Sequence, residues 1–167
     1  PKDPAFRAEF GPRGVLDCKA TDVESDIDDK RFGKMGMQTC KDTGPLTKKR
    51  METADDEFVG RAMDFIKKST AAKKPWFAWV NTSRMHFYTH LKQESSGVTG
   101  LGIFADGMVE HDGHVGQMLD LLEELKISDD TIVLYTADNG PHFNEWPDGG
   151  LSPFRGEKNT NWEGGYR

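Results

Sequence analysis

Thr131-Ile132-Val133-Leu134-Tyr135-Thr136-Ala137-Asp138-Asn139-Gly140-Pro141-His142 is the stretch on which the reading of this chain turns. Its first seven residues are rich in β-branched and aromatic side chains and read as a buried strand. The strand stops at Asp138-Asn139-Gly140-Pro141, a cluster of turn formers. It therefore delivers a carboxylate and a carboxamide together to one sheet edge. Two oxygen donors side by side suit a hard cation such as Ca2+ or Mg2+, and the carboxyl edge of an open α/β sheet is where ligands bind. The plainer reading of Asp138-Asn139-Gly140 by itself is a turn that ends a strand.

Working upstream, Val115, Met118, Leu119, Leu122 and Leu125 form one apolar stripe, which predicts a helix over about 106–125 leading into that strand. His111 falls at helical spacing from Val115 and reads as a buried, hydrogen-bonded helix histidine rather than a ligand. Before the helix, residues 81–106 make a connection longer than compact domains ordinarily need, and it contains His86 and His90. Before that, Trp76-Phe77-Ala78-Trp79-Val80 reads as a second buried strand, its tryptophans assigned to the core. Strand, helix and strand of these lengths form a βαβ unit with parallel strands, so the His86 loop and Asp138-Asn139 should emerge at one edge. A further helix over about 48–68 is predicted from Phe58, Ala62, Phe65 and Ile66, with acids early and Lys67-Lys68 late.

The flanks are less patterned. Residues 1 to about 50 read mostly as loop with a short strand near Gly14-Val15-Leu16. The acidic run Asp22, Glu24, Asp26, Asp28, Asp29 lacks the central glycine and closing glutamate of a calcium loop and reads as a solvated surface. Trp146 to Arg167 is rich in glycine and proline and should run as an extended excursion over the sheet edge, with Arg155, Lys158 and Arg167 placing positive charge there. His142 either lines a pocket beside Asp138-Asn139 or is solvated. Trp162 either stacks on an aryl or sugar ring or packs beneath the loop.

A chain of 167 residues has the length of one domain, and the net charge of -6 argues against a nucleic-acid surface. No apolar run is long enough to span a bilayer, and no signal-peptide succession opens the chain. The abrupt start at Pro1-Lys2-Asp3-Pro4 and finish at Gly164-Gly165-Tyr166-Arg167 look like cuts in a longer polypeptide. Cys18 and Cys40 have no metal-site spacing; they either pair across a loop or stay as free thiols.

Five segments together carry a family resemblance. They are Gly44-Pro45-Leu46-Thr47-Lys48-Lys49-Arg50-Met51-Glu52-Thr53, Met85-His86-Phe87-Tyr88-Thr89-His90, Met108-Val109-Glu110-His111-Asp112, Asp138-Asn139-Gly140-Pro141, and Glu157-Lys158-Asn159-Thr160-Asn161-Trp162-Glu163-Gly164-Gly165. In order and spacing the chain resembles bacterial arylsulfatase-like members of the sulfatase family. The resemblance implies part of an alkaline-phosphatase-like α/β/α sandwich with a largely parallel sheet, residues 1–46 being loop-rich and 47–167 holding the βαβ core and active-site loops. It implies hydrolysis of a small-molecule or carbohydrate sulfate ester. It also implies a divalent cation, usually Ca2+ with Mg2+ as the alternative, held in part by Asp138 and Asn139. His86 and Lys158 are assigned to the sulfate group, and His142 and Trp162 to the substrate pocket.

The chain departs from the family pattern where the nucleophile should be. The family's formylglycine arises in Cys/Ser-x-Pro-x-Arg, and neither Cys18 nor Cys40 has that proline and arginine. The formylglycine is therefore expected upstream of this segment, with the family's N-terminal aspartate pair, and the isolated chain is expected to be inactive. Export to the periplasm or medium is the expectation from bacterial relatives, with the cytoplasm as alternative. A noncatalytic interaction module that self-associates through exposed sheet edges, and a phosphate or phosphonate ester hydrolase of the same superfamily, remain as alternatives.

Overall fold

The computed structural model describes residues 3–11, 14–29 and 33–167. Pro1 and Lys2 of the abrupt start lie outside the described residues. The chain divides into two compact units, residues 1–50 and 51–167.

The first unit is more regular than its composition suggests. Helix α1 (Pro4–Phe10) is capped by Asp3, whose Oδ1 accepts the backbone N–H groups of Ala5 and Phe6 at 2.9 and 3.3 Å. Strand β1 (Gly14–Ala20) pairs antiparallel with β4 (Gln38–Pro45), and between them β2 (Asp28–Asp29) pairs antiparallel with β3 (Gly33–Lys34). The β1–β4 register sets Cys18 opposite Cys40, and the two form a disulfide. The expectation of a mostly loop-like first third is thus corrected: it is built on a disulfide-closed hairpin. The short strand expected near Gly14-Val15-Leu16 is present as the start of β1, and the rest of the ladder went unread because it buries no apolar face. Leu16 is 42% exposed, and no described apolar side chain of this unit is buried. Asp22, Glu24, Asp26 and Asp28 are exposed, as a solvated acidic run requires. At the far end, Arg50 Nη1 donates to the carbonyls of Thr43 and Gly44 at 3.1 and 2.8 Å, where Gly44 holds φ +106°.

A short helical turn α2 (Lys48–Met51) ends the first unit and runs into the second, where α4 (Ile103–Glu124) packs against α3 (Ala54–Ala71). The predicted 48–68 helix is present but interrupted at Glu52-Thr53. Its inward row is Val59, Met63 and Ile66, spaced i, i+4, i+7, so Phe65 of the expected stripe is turned out at 45% exposure. In α4 the fully inward residues are His114, Leu121 and Leu122, while Leu119 of the expected stripe is exposed. Ile66, Leu121 and Leu122 form the core, with Met63, Trp76, Leu125 and Ile127 packed around it. Both long helices stop in the same way. Lys74 N–H reaches back to Ser69 O and Ile127 N–H to Leu122 O, with Lys73 and Lys126 at φ 54° and 57° closing the last turn.

The two expected strands depart furthest from a closed fold. Residues 76–82 and 131–137 form neither helix nor ladder; the described ladders are antiparallel pairs, and no parallel sheet is assembled among the described residues. Burial is correspondingly absent. Phe77 and Trp79 are each 80% exposed, Leu134 86% and Ile132 98%. Trp76 packs on the core as expected, but Trp79 does not, because no layer among the described residues covers its side. The two segments meet the same partners nonetheless. Trp76 and Ile127, at or before their starts, meet the same core cluster. Toward their ends, His111 of α4 lies between them, with Nδ1 3.2 Å from Thr82 Oγ1 and Nε2 3.0 Å from Tyr135 Oη. His111 is therefore the hydrogen-bonded helix histidine anticipated, though only half-buried. No described helix is long and apolar enough to cross a membrane.

Candidate active-site edge

Past residue 82 the chain enters the His86 loop, and its course is set from below. Asp55, fully buried in the first turn of α3, accepts the backbone N–H groups of Ser83 and Arg84 at 2.8 and 3.2 Å. The Arg84 side chain is itself fully buried. Its Nη2 lies 2.7 Å from Glu110 Oε1, 3.2 Å from His90 O and 3.3 Å from Glu52 O, and its Nη1 lies 3.1 Å from Ser83 Oγ. On α4, Gly107 leaves the space that Met85 and Leu91 fill from either side of His86. Between these anchors His86, Phe87 and Tyr88 stand exposed as a run of rings, with centroids 4.4 Å apart for His86–Phe87 and 4.2 Å for Phe87–Tyr88. His90 is half-buried, and its backbone carbonyl serves Arg84.

The turn after residue 137 is clipped to the glycine-rich excursion by backbone hydrogen bonds. Gly140 N–H donates to Gly165 O at 3.0 Å, Lys158 N–H to Pro141 O at 2.8 Å, and Gly164 N–H to Arg155 O at 2.8 Å. A Cβ at Gly140 would collide with the Gly164 carbonyl, so glycine is a condition of this approach. Asp138 is exposed; Asn139 is half-buried, and its Nδ2 donates to Gly140 O at 2.8 Å, which leaves its side-chain oxygen for another partner. His142 follows directly and meets Phe87 edge-on at 6.1 Å between ring centroids, which connects this turn to the His86 loop.

Of the residues singled out in the sequence, then, His86 and His142 are linked through Phe87, and Asn139 and Lys158 through the clip. No described contact joins Asp138 to His86. Trp162 is 51% exposed and carries the Arg155 guanidinium 3.7 Å above its ring. Arg167 stacks on Phe154 at 4.1 Å and pairs with Glu163. No three described His, Cys, Asp or Glu side chains converge as a cation cage. Asp138 and Asn139 supply two hard oxygen donors, a fit to part of the shell of a Ca2+ ion, which takes six to eight.

Sequence reasoning missed the groups beneath the site. Asp55 counted only among the early acids of a predicted helix, Glu110 only as a member of a family motif, and Arg84 fell in a segment with no periodicity. Beside them, Asp56 accepts from His114 Nε2 at 2.7 Å and from Lys92 Nζ at 3.1 Å. Burial pushes the Asp56 carboxyl up, but the hydrogen bonds from His114 and Lys92, with their charge, outweigh it and hold the group below the usual aspartate value. The side-chain hydrogen bond from Thr99 first, then the backbone N–H groups of Thr99 and Gly97, hold Asp106 low as well. His111 is pushed down chiefly by desolvation, opposed by Asp55.

Comparison with known proteins locates this arrangement. The model of a family described as Sulfatase matches residues 18–167. N-acetylgalactosamine-6-sulfatase of Canis lupus familiaris is 36% identical over 112 residues, covering 66% of this chain and 22% of that protein. An arylsulfatase of Hemicentrotus pulcherrimus is 35% identical over 111 residues, covering 66% and 20%. Human steryl-sulfatase is 31% identical over 112 residues, covering 64% and 19%. The crystal structure of the PsFucS1 sulfatase from Pseudoalteromonas sp. superposes with a TM-score of 0.71 at 29% identity, covering 76% of this chain and 26% of that one. The chain thus spans about a fifth of the length of these curated relatives.

Proposed function

This chain belongs to the sulfatase family, and on that premise we propose that residues 47–167 are part of the catalytic domain of a sulfuric ester hydrolase. His86 and Lys158 would face the sulfate group of a small-molecule or carbohydrate ester. The observation that carries this reading is the junction of two loops distant in sequence. The clip holds Lys158 against the turn that follows Asp138 and Asn139, and His142 meets Phe87 beside His86. At such an edge a lysine ammonium offsets charge on the transferring group, and a histidine supplies the proton to the departing oxygen. Asp138 and Asn139 would hold a Ca2+ or Mg2+ ion, which, when bound, draws negative charge from the sulfate oxygens. His142 and Trp162 would border the leaving group.

The nucleophile must come from elsewhere. Cys18 and Cys40 are joined to each other, and no described cysteine is free for conversion to formylglycine. The reading therefore makes this chain a part-site that turns over no sulfate ester alone. The disulfide also favours an oxidising compartment, periplasmic or secreted. The segments 76–82 and 131–137, which pair with no described strand, would be strands of a largely parallel sheet that other segments complete. Their exposed apolar faces equally favour a second reading, a noncatalytic module that associates through those edges.

Calcium titration of the chain, followed by NMR and calorimetry, tests the part-site. The expected result is weak binding that perturbs Asn139, Gly140 and Lys158 together and vanishes in Asp138→Ala. Tight binding, or aryl sulfate turnover abolished by Lys158→Ala, would overturn the part-site; calcium-induced shifts confined to residues 22–29 would overturn the assignment of the metal donors.

A further inference from the structure

We propose that Arg84 is a positioning residue for His86, its buried guanidinium fixing both limbs of the loop that presents that histidine. The proposal rests on the reading of His86 as a group that faces the sulfate. Ser83 and His90, the two residues of the loop that Arg84 holds, flank His86 by three positions before and four after. One planar fork spans them, through Ser83 Oγ at 3.1 Å and His90 O at 3.2 Å.

The same fork roots the loop on both helices. Glu110 Oε1 at 2.7 Å ties it to α4, and Glu52 O at 3.3 Å to the residue two before α3. Asp55 completes the seat by accepting the two backbone N–H groups at the loop's entry, its Oδ2 standing 3.7 Å from Arg84 Nη1. The loop is thereby divided in two kinds of residue. Arg84, Thr89 and Leu91 are buried, and His86, Phe87 and Tyr88 are exposed between them. The ring of His86 makes only tilted contacts with its neighbours in sequence, Phe87 and Tyr88, and one marginal acceptance from Tyr88 N–H at 3.4 Å. At the tip the His86 backbone N–H donates to Ser83 O at 2.8 Å, a bond back to the very residue whose hydroxyl Arg84 holds, so the place of His86 is determined through the limbs. A lysine cannot substitute, because an ammonium lacks the planar fork that reaches Ser83, His90 and Glu110 at once. A charge placed solely to satisfy Glu110 would need no such reach.

The test uses the full 167-residue chain, labelled for NMR, as wild type, Arg84→Lys and Glu110→Gln. In Arg84→Lys the order parameters of residues 86–88 are expected to fall from about 0.85 to below about 0.6. The His86 ring resonances should move toward those of free histidine, while amides in 60–71 and 114–124 keep their shifts. Glu110→Gln, which keeps a carbonyl acceptor but loses the charge, should move the same resonances less, and it supplies the reading where Arg84→Lys does not fold. Unchanged order at 86–88 and an unchanged His86 ring in a folded variant would overturn the proposal and reduce Arg84 to a packing role. Inorganic sulfate added to wild type reads the function separately. If His86 and Lys158 ignore sulfate while Arg84→Lys loosens the loop, the sulfate reading fails and the clamp stands.

Discussion

Reducing the Cys18–Cys40 disulfide should dismantle the first unit while leaving the second intact. The bond closes a separation of 22 residues. The loop-closure relation for that length gives about 3.4 kcal/mol of stabilisation at 25 °C, drawn from the entropy of the unfolded chain. That figure weighs heavily because little else holds the unit: β1 and β4 share a ladder, but no described apolar side chain there is buried. By contrast, all six buried apolar residues of the described chain lie in residues 51–167. Hydrogen exchange measured by mass spectrometry, with and without reductant, reads the two units separately. Amides in 14–20 and 38–45 should lose protection by about 300-fold, the equivalent of 3.4 kcal/mol, or become unprotected if the unit holds less than that. Amides in α3 and α4 should not change. A Cys18→Ser, Cys40→Ser double variant should behave like the reduced protein. Retained protection across β1 and β4 after reduction would refute the reasoning, and would mean that the ladder and its side-chain bonds suffice.

Other outcomes follow from the second unit. Leu121 is 1% exposed at the centre of the only apolar cluster found there, so Leu121→Ala should cost about 3 kcal/mol in chemical denaturation; a loss below about 1 kcal/mol would show that the site collapses around the smaller residue. Because desolvation lowers the His111 pKa, the unfolded chain takes up that proton first as the medium is acidified; stability should be full above about pH 6.5 and decline as pH falls through the lower folded value. A His111→Gln variant should flatten that part of the pH–stability curve, and an unaltered slope would assign it to another group. The open apolar segments should drive concentration-dependent association, visible by light scattering. Replacing exposed Phe77 and Ile132 by serine should suppress it without lowering the melting temperature, whereas undiminished association would move the interface elsewhere.

What was legible in the sequence was whatever a single period or a local motif carries. The apolar spacing in 54–71 and 103–124 announced two helices, although the inward rows differ by a residue from the expected stripes. The glycine-rich excursion was legible in composition as lying over the edge at Asp138-Asn139, but the hydrogen bonds between Pro141 and Lys158 and between Gly140 and Gly165 that join them leave no periodic trace. The β1–β4 hairpin was legible only at Gly14-Val15-Leu16, for the opposite reason: its strands have no buried side to reveal the rest. Trp79 and Ile132 were assigned to an interior by their chemistry, which is a statement about what such residues favour. Whether a covering layer exists is a property of the whole assembly, and hydropathy along one segment does not contain it. Arg84 was missed because a buried arginine looks like any other until its acceptors, drawn from residues 52, 83, 90 and 110, are brought around it.

The glycine clip has a consequence for how this region can diversify. With Gly140 and Gly165 bonded to each other and Lys158 N–H bonded to Pro141, residues 142–157 form a closed stem-loop whose base admits no new side chain. Its length is under no such restriction, because each doubling of a loop adds only about 0.6 kcal/mol to the entropy of closing it. Insertions between His142 and Arg155 would therefore remodel the rim beside the proposed site while the stem keeps Lys158 in register with Asn139. Related proteins that differ in ester preference should accordingly differ in the length and lettering of that arc, and agree at its two ends.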